Sequence, residues 1–311
     1  MDPSAGDNAI KMAARYGRTS TVQLLLSDPR VDPSADGNYA IFNAATDGHT
    51  ETVRLLMSDP RVDPSADDNC AIGNAAVDGH TETVRLLMSD PRVDPSADDN
   101  YAIINAASEG HTETVRLLMS DSRVDPSANS NRAIIYAASE GHTETVRLLM
   151  FDSRVDPSAN GNRAIIKATS DGHTETVRLL MSDSRVDPSA DDNLPIINAA
   201  SEGHTATVRL LMSHLCVDPS AQSDRAIREA TLGGHIETVQ LLLADDRVNP
   251  NSNDLILTAA AGGHADVTEL LLSHLRVNAS TLLDEAKRRA TEGGHTKVVH
   301  DYKRQKFSSR E

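Results

Sequence analysis

The stretch Ala40 to Met57, AIFNAATDGHTETVRLLM, returns almost verbatim along this 311-residue chain behind a VDPSA leader. Two short apolar runs flank a Gly-His turn. Each run is shorter than the roughly 12 residues at which an isolated helix becomes even marginally stable in water. A unit of this kind buries its apolar stripe only against a copy of itself, so the fold is a stack of repeats.

The leader begins at Val31, Val62, Val93, Val124, Val155, Val186 and Val217, a strict 31-residue period. An earlier unit opens at Met1, a shorter one at Val248 and a divergent one at Val277. The expected organisation is therefore one array of about ten repeats over 1–305: 1–30, 31–61, 62–92, 93–123, 124–154, 155–185, 186–216, 217–247, 248–276 and a capping repeat 277–305. Residues 306–311 are read as a tail. The cap reading rests on register: Lys287 stands where Ile41 stood and Asp301 where Leu55 stood, while Ala286, Ala290, Val299 and Tyr302 keep apolar character.

Within the unit at Val31, Asn38 is expected to cap a first helix of about nine residues that ends at a left-handed Gly48. Thr50 is expected to cap a second helix, with Glu51 and Arg54 paired at i,i+3 and Val53, Leu56 and Met57 on the buried stripe. The link between units carries two prolines and several Asp residues and reads as a turn-rich excursion.

The pool is 39% hydrophobic but only 3% aromatic, with no Trp, so the core must be thin layers of Ala, Val, Ile, Leu and Met. A net charge of -16 argues against a nucleic-acid duplex as the main partner, because phosphate binding needs clustered Lys and Arg. The charge is uneven: residues 281–311 hold 8 basic against 5 acidic side chains, the rest 22 against 41. Two cysteines, Cys70 and Cys216, fall at non-equivalent points of the repeat and suggest neither a disulfide framework nor a zinc set. No run approaches 18 apolar residues, and the first ten residues lack the pattern of a secretory signal. The expected setting is cytoplasmic, with the nucleus also open, and not secreted.

The turn at Ala44-Ala45-Thr46-Asp47-Gly48-His49, followed by Val53 and Leu55-Leu56, resembles the core pattern of the ankyrin repeat, in register over nine Gly-His turns. The resemblance implies an all-α helix-turn-helix solenoid that binds other proteins and has no catalytic activity. Two departures stand out: the family's helix-opening T-P-L-H is replaced by Tyr39-Ala40-Ile41-Phe42, and the period is 31 where the family's is about 33. Both missing residues fall in the connecting loop, so the finger loops should be shortened.

The nine turn histidines, from His49 to His295, recur once per repeat. Zinc ligands sit about 2.0–2.1 Å from the ion, whereas stacked helices lie about 8–10 Å apart, so the imidazoles read as turn residues bonded to loop backbone. His49-Thr50-Glu51 mimics half of a zinc deaminase signature, but no P-C-x-x-C follows. The acidic loops around Asp63, Asp67 and Asp68 lack the order of an EF-hand. No cofactor, metal or catalytic residue is expected.

The informative positions are those at which the repeats differ. In the first helix of the regular units these are Tyr39, Phe42, Asn43, Thr46 and their counterparts, spaced i, i+3, i+4, i+7 on one face. The candidate partner-binding residues are Tyr39, Tyr101, Arg132, Tyr136, Arg163, Lys167 and Arg225, types that carry contact energy at interfaces. Ile104, Ile135, Ile166 and Ile197 on the same stripe can equally sit between units. Acidic pairs Asp67-Asp68 and Asp98-Asp99 give way to Asn129-Ser130 and Asn160-Gly161 where Arg132, Arg163 and Lys167 appear, which marks 129–167 as a less acidic patch. The function expected is a scaffold or adaptor that meets a protein partner along the first-helix and loop face as a monomer, with no membrane role. The alternatives are a structural spacer or tether with a neutrally varying surface, or contact of nucleic acid or an acidic surface by the basic C-terminal repeat.

Overall fold

The computed structural model describes residues 3–249, 253–274 and 279–295. These form 19 α-helices and, among the described residues, no strand. The chain divides into two compact units, Met1–Ala159 and Asn160–Glu311. Each is a succession of antiparallel helix pairs in which first helices pack on first helices and second helices on second helices.

One pair shows the logic. The helix Ala35–Thr46 opens on a left-handed turn at Asp36, Gly37 and Asn38 (φ 54°, 72° and 68°) and then runs right-handed from Tyr39. Only Gly, and to a lesser degree Asn and Asp, visit this region cheaply, which explains why the same three places hold Asp67-Asp68-Asn69 and Asp98-Asp99-Asn100 in the next repeats. Ala40, Ile41, Ala44 and Ala45 are buried, as are Thr52, Val53 and Leu56 of the helix Thr50–Met57. Small side chains let the paired helices approach closely. The shortened finger takes the form of turns that lead into this left-handed triplet.

Both expected caps are replaced by ties between neighbouring repeats. Asn38 makes no cap bond; its Oδ1 accepts the Asp63 N–H of the following repeat at 2.7 Å, and Asn69, Asn100 and Asn162 do the same for Asp94, Asp125 and Asp187. Thr50 likewise caps nothing, and its hydroxyl meets that of the buried Thr83 at 2.8 Å. Thr81–Thr114, Thr174–Thr207 and Thr205–Thr238 repeat the pairing. Where Ile236 removes one hydroxyl, the facing place in the following repeat is Val267, so the rung is absent on both sides. A buried hydroxyl without a partner costs about 1–3 kcal/mol, which is consistent with the two threonines being present or absent together.

A third tie is a guanidinium clip. Arg61, the last residue of its repeat, grips Asp59 with Nε and Nη2 and donates Nη1 at 2.9 Å to the carbonyl of Val31, which opens that repeat. Arg92, Arg123 and Arg247 make the same reach to Val62, Val93 and Val217. In the repeat that opens at Val186, His214-Leu215-Cys216 stands where the other regular repeats have Asp, then Pro, Ser or Asp, then Arg, and the His214 Nδ1 lies 3.1 Å from the Cys216 thiol.

Two predictions follow from these ties. Asn100→Ala removes an acceptor from the Asp125 N–H and a residue type tolerant of φ 66°; it should lower stability by about 2–3 kcal/mol in urea denaturation, the sum of one lost partially buried bond and the left-handed penalty. Asn100→Asp should cost far less, since Asp224 already does this work for Asn249 at 2.9 Å. The second concerns acid. The Arg61 guanidinium holds the Asp59 carboxyl below its usual 3.8, and the Ser65 hydroxyl and N–H do so for Asp63. A depressed folded pKa gives stability that is full above the unfolded value and lost as pH falls through the folded one. The melting temperature should therefore stay level from pH 7 to 5 and fall below about pH 4. A fall already complete by pH 5 would show that these carboxylates do not set the acid limit.

In the final repeat, Ala286 and Ala290 of the helix Ala279–Glu292 are fully buried, and Lys287 keeps its side chain 22% exposed beside Asp284. Val299, Asp301, Tyr302, the Lys303–Lys306 run and the tail lie outside the described residues.

Candidate functional site

The variable positions lie where the left-handed turn passes into the first helix. Tyr39, Tyr101, Arg132, Arg163 and Arg225 occupy the first right-handed residue of their repeats, and all five are exposed. Tyr136 and Lys167 sit one turn further along, the tyrosine exposed and the lysine half-buried. Because the preceding three residues turn left-handed, this residue projects at the rim of the repeat and not into the stack.

The four-position stripe expected from periodicity does not hold as one exposed face. Ile104, Ile135, Ile166 and Ile197 are buried at the i+3 place, and Asn43 is buried at i+4. The reason is tertiary: this edge of the first helices meets the neighbouring first helix, so the exposed part of the stripe narrows to its first position, with Tyr136 exposed at i+4. At i+4 the asparagines also turn inward on their own backbone, Asn74 to the Cys70 carbonyl at 2.9 Å and Asn105 to the Tyr101 carbonyl at 2.8 Å.

Local pairing differs among the candidates. The Tyr39 ring stacks on Phe42 with centroids 5.3 Å apart. The Arg132 guanidinium lies over the Tyr136 ring at 5.7 Å, a cation-π contact within one helix. Arg163 and Lys167 share the next first helix, Ala159–Ser170, at the same i,i+4 spacing. Arg225 is engaged from its own helix, by Glu229 at 3.2 Å and Gln222 at 2.9 Å, so its charge is already met.

Reading the sequence missed a pair of clefts between the rims of successive repeats. One, of about 430 Å³, is lined by Asp36, Tyr39, Phe42, Asp63, Asp67 and Cys70 among others. The other, of about 320 Å³, is lined by Asp67, Asp68, Gly73, Asp94, Asp98 and Tyr101 among others. Burial, followed by the Asp67 carboxylate, pushes the Cys70 thiol up, so it stands neutral between the two. The available signal was Gly73, a lone glycine at the place where four other repeats carry Ile.

Among the turn histidines, His49, His204, His235 and His264 bond backbone through the ring. His49 Nε2 lies 2.9 Å from the Arg15 carbonyl, and His235 Nε2 lies 2.9 Å from that of Ser201. Within each compact unit such rings also lie against the turn glycine of the preceding repeat, as His80 does against Gly48 and His204 against Gly172. Among the described residues no group of three His, Cys, Asp or Glu side chains could hold a metal ion, and no helix is long and apolar enough to cross a membrane.

Stacked helix pairs with a Gly-His turn and a varied, exposed rim define a repeat scaffold whose chemistry is that of a surface. The family model described as Ankyrin repeats (3 copies) matches residues 10–99, 72–160, 103–192 and 151–223, together more than half of the chain, and the chain belongs to that family. Ankyrin repeats generally mediate protein–protein interaction, and proteins built of them are typically non-catalytic scaffolds. A search of curated proteins gave no match.

Proposed function

We propose that the chain is a monomeric, non-catalytic adaptor in the cytoplasm or nucleus, a single array of ten repeats with the bounds given above, which holds a protein partner along its first-helix and loop face. The observation that carries this reading is the rim position after the left-handed turn. It is exposed in five of the seven regular repeats, half-buried at Cys70 and Leu194, and holds Tyr, Cys, Tyr, Arg, Arg, Leu and Arg in turn, while the residues on either side of it, Asn38 and Ala40 in the first case, stay nearly fixed. A preformed surface loses little ordering entropy on association, so many modest contacts can add up to useful affinity. Arg132, Arg163 and Lys167, which appear in the repeats that have lost the neighbouring acidic pair, are proposed to meet acidic or phosphorylated side chains of the partner.

The test is affinity capture with the wild type, with Arg132→Glu/Arg163→Glu/Lys167→Glu, and with a variant carrying one consensus residue at every rim position. The charge-reversed protein should keep its helicity, because exposed changes usually shift stability by less than about 0.5 kcal/mol each, yet lose a partner that the wild type retains. Identical capture by all three would make the array a spacer with a neutrally varying surface.

A further inference from the structure

We propose that the two adjoining clefts over residues 36–102 form a docking groove for an extended segment of a partner protein that carries arginine or lysine side chains. The proposal rests on the protein-binding reading above and gives one stretch of that face a partner chemistry. The clefts share Asp67 and Cys70, so they form one row across three successive repeats. Their volumes, about 430 and 320 Å³, fall in the range of sites that take a side chain or small ligand.

The shape comes from Gly73. Its counterparts Ile104, Ile135, Ile166 and Ile197 are buried side chains that fill this place in their repeats. A Cβ on Gly73 would stand 3.1 Å from the Tyr101 ring, so the absent side chain is what lets that ring lie down along the floor of the second cleft. A glycine inside a helix is destabilising relative to alanine, and here it opens a recess.

The charge is of one sign. Asp36, Asp63 and Asp67 line the first cleft, Asp67, Asp68, Asp94 and Asp98 the second, and no Lys or Arg lines either. Some of these carboxylates are occupied within the fold. Asp63 and Asp94 accept the N–H and hydroxyl of Ser65 and Ser96, and Asp36 pairs with Lys11. Asp67, Asp68 and Asp98 are exposed and join none of the ion pairs among the described residues. Beside them stand the exposed rings of Tyr39 and Tyr101, whose faces attract a guanidinium or ammonium group.

The chain makes the complementary arrangement itself elsewhere. In the repeat that opens at Val124, the rim residue is Arg132, it lies over Tyr136, and the acidic pair has become Asn129-Ser130. In the groove over 36–102 the arrangement is reversed: the acid and the aromatic faces are present, and apart from the Lys11 ammonium on Asp36 none of the ion pairs among the described residues brings a cation to them. A phosphate backbone would be repelled there, which leaves a basic polypeptide.

The experiment uses the full chain and a fluorescein-labelled dodecapeptide of alternating arginine and serine, with a glutamate-serine peptide as its counterpart, read by anisotropy at physiological salt. The arginine peptide should bind and the glutamate peptide should not. Asp67→Asn/Asp68→Asn/Asp98→Asn should weaken binding at least tenfold, while Asp191→Asn/Asp192→Asn/Asp246→Asn, the same charge change on exposed residues elsewhere, should stay within twofold. Gly73→Ile, which fills the recess with charge unchanged, should weaken binding at least fivefold. Tyr101→Ala should do likewise and serves if the isoleucine disturbs the helix. In the wild type the peptide should slow alkylation of Cys70 and leave that of the exposed Cys216 unchanged. Equal loss in both triple-Asn variants, or Gly73→Ile and Tyr101→Ala binding like wild type with Cys70 unprotected, would overturn the groove. If that happens while the consensus-rim protein still loses its captured partner, the adaptor reading stands and only the groove falls.

Discussion

Replacing Gly172 by alanine should destabilise the protein by about 3 kcal/mol, among the largest effects expected of any single methyl group in this chain. The residue has φ +76°, where an L side chain costs roughly 1–2 kcal/mol. A Cβ there would also stand 2.6 Å from Nδ1 and Cε1 of His204. The imidazole would have to swing away, losing its 3.1 Å bond to the Ser170 carbonyl, worth roughly 1 kcal/mol. The two causes separate by substitution. Gly172→Asn relieves most of the backbone penalty and none of the collision, so it should remain clearly destabilising in urea unfolding. Placed on a His204→Ala background, Gly172→Ala should cost only the backbone part. If the alanine cost is the same with and without the imidazole, the ring contact is not what fixes glycine at the turn.

Deletion of residues 277–311 should convert the protein into a self-associating species with a melting temperature lower by roughly 10 °C. The helix Ala279–Glu292 packs on the helix Asn253–Ala261, and its Ala286 and Ala290 are fully buried. Removing it bares the layer that holds Leu255, Ile256 and Leu257, now at most 9% exposed. Burying a leucine side chain contributes about 1.5–3 kcal/mol, and each kcal/mol shifts the melting point by about 2–4 °C in a protein of this size. An uncovered apolar layer also has a ready partner in the same layer of a second molecule. Light scattering across a concentration series checks the association, and deletion of 307–311 alone should change neither quantity. A monomeric truncation as stable as the full chain would show that the final repeat is no cap, and the charges of the basic C-terminal repeat would then need another role.

Period, helix pairing and the turn glycine were all legible along the sequence, because near-identical copies spaced at 31 residues leave each layer only a copy of itself to pack on. The roles of Asn38 and Thr50 were not legible. Both residue types suit a helix N-cap, and local propensity has no way to express that their partners, Asp63 and Thr83, come from the following repeat. The same holds for the exposed face. Helical spacing placed Tyr39, Phe42, Asn43 and Thr46 on one stripe, but spacing measures angle about an axis and not distance to a neighbouring helix, so the burial of Ile104 and Ile135 was left open until the stack was built.

The sequence by itself determined that this protein is an all-α array of ankyrin repeats, since a strict period of short amphipathic pairs admits few other ways to bury its stripes. Which polar side chains stitch repeat to repeat, and which of the varying residues reach solvent, only the tertiary structure decided. Those properties belong to pairs of residues about 25 to 34 positions apart, and the clefts beside Gly73 exist only where the rims of successive repeats are brought side by side.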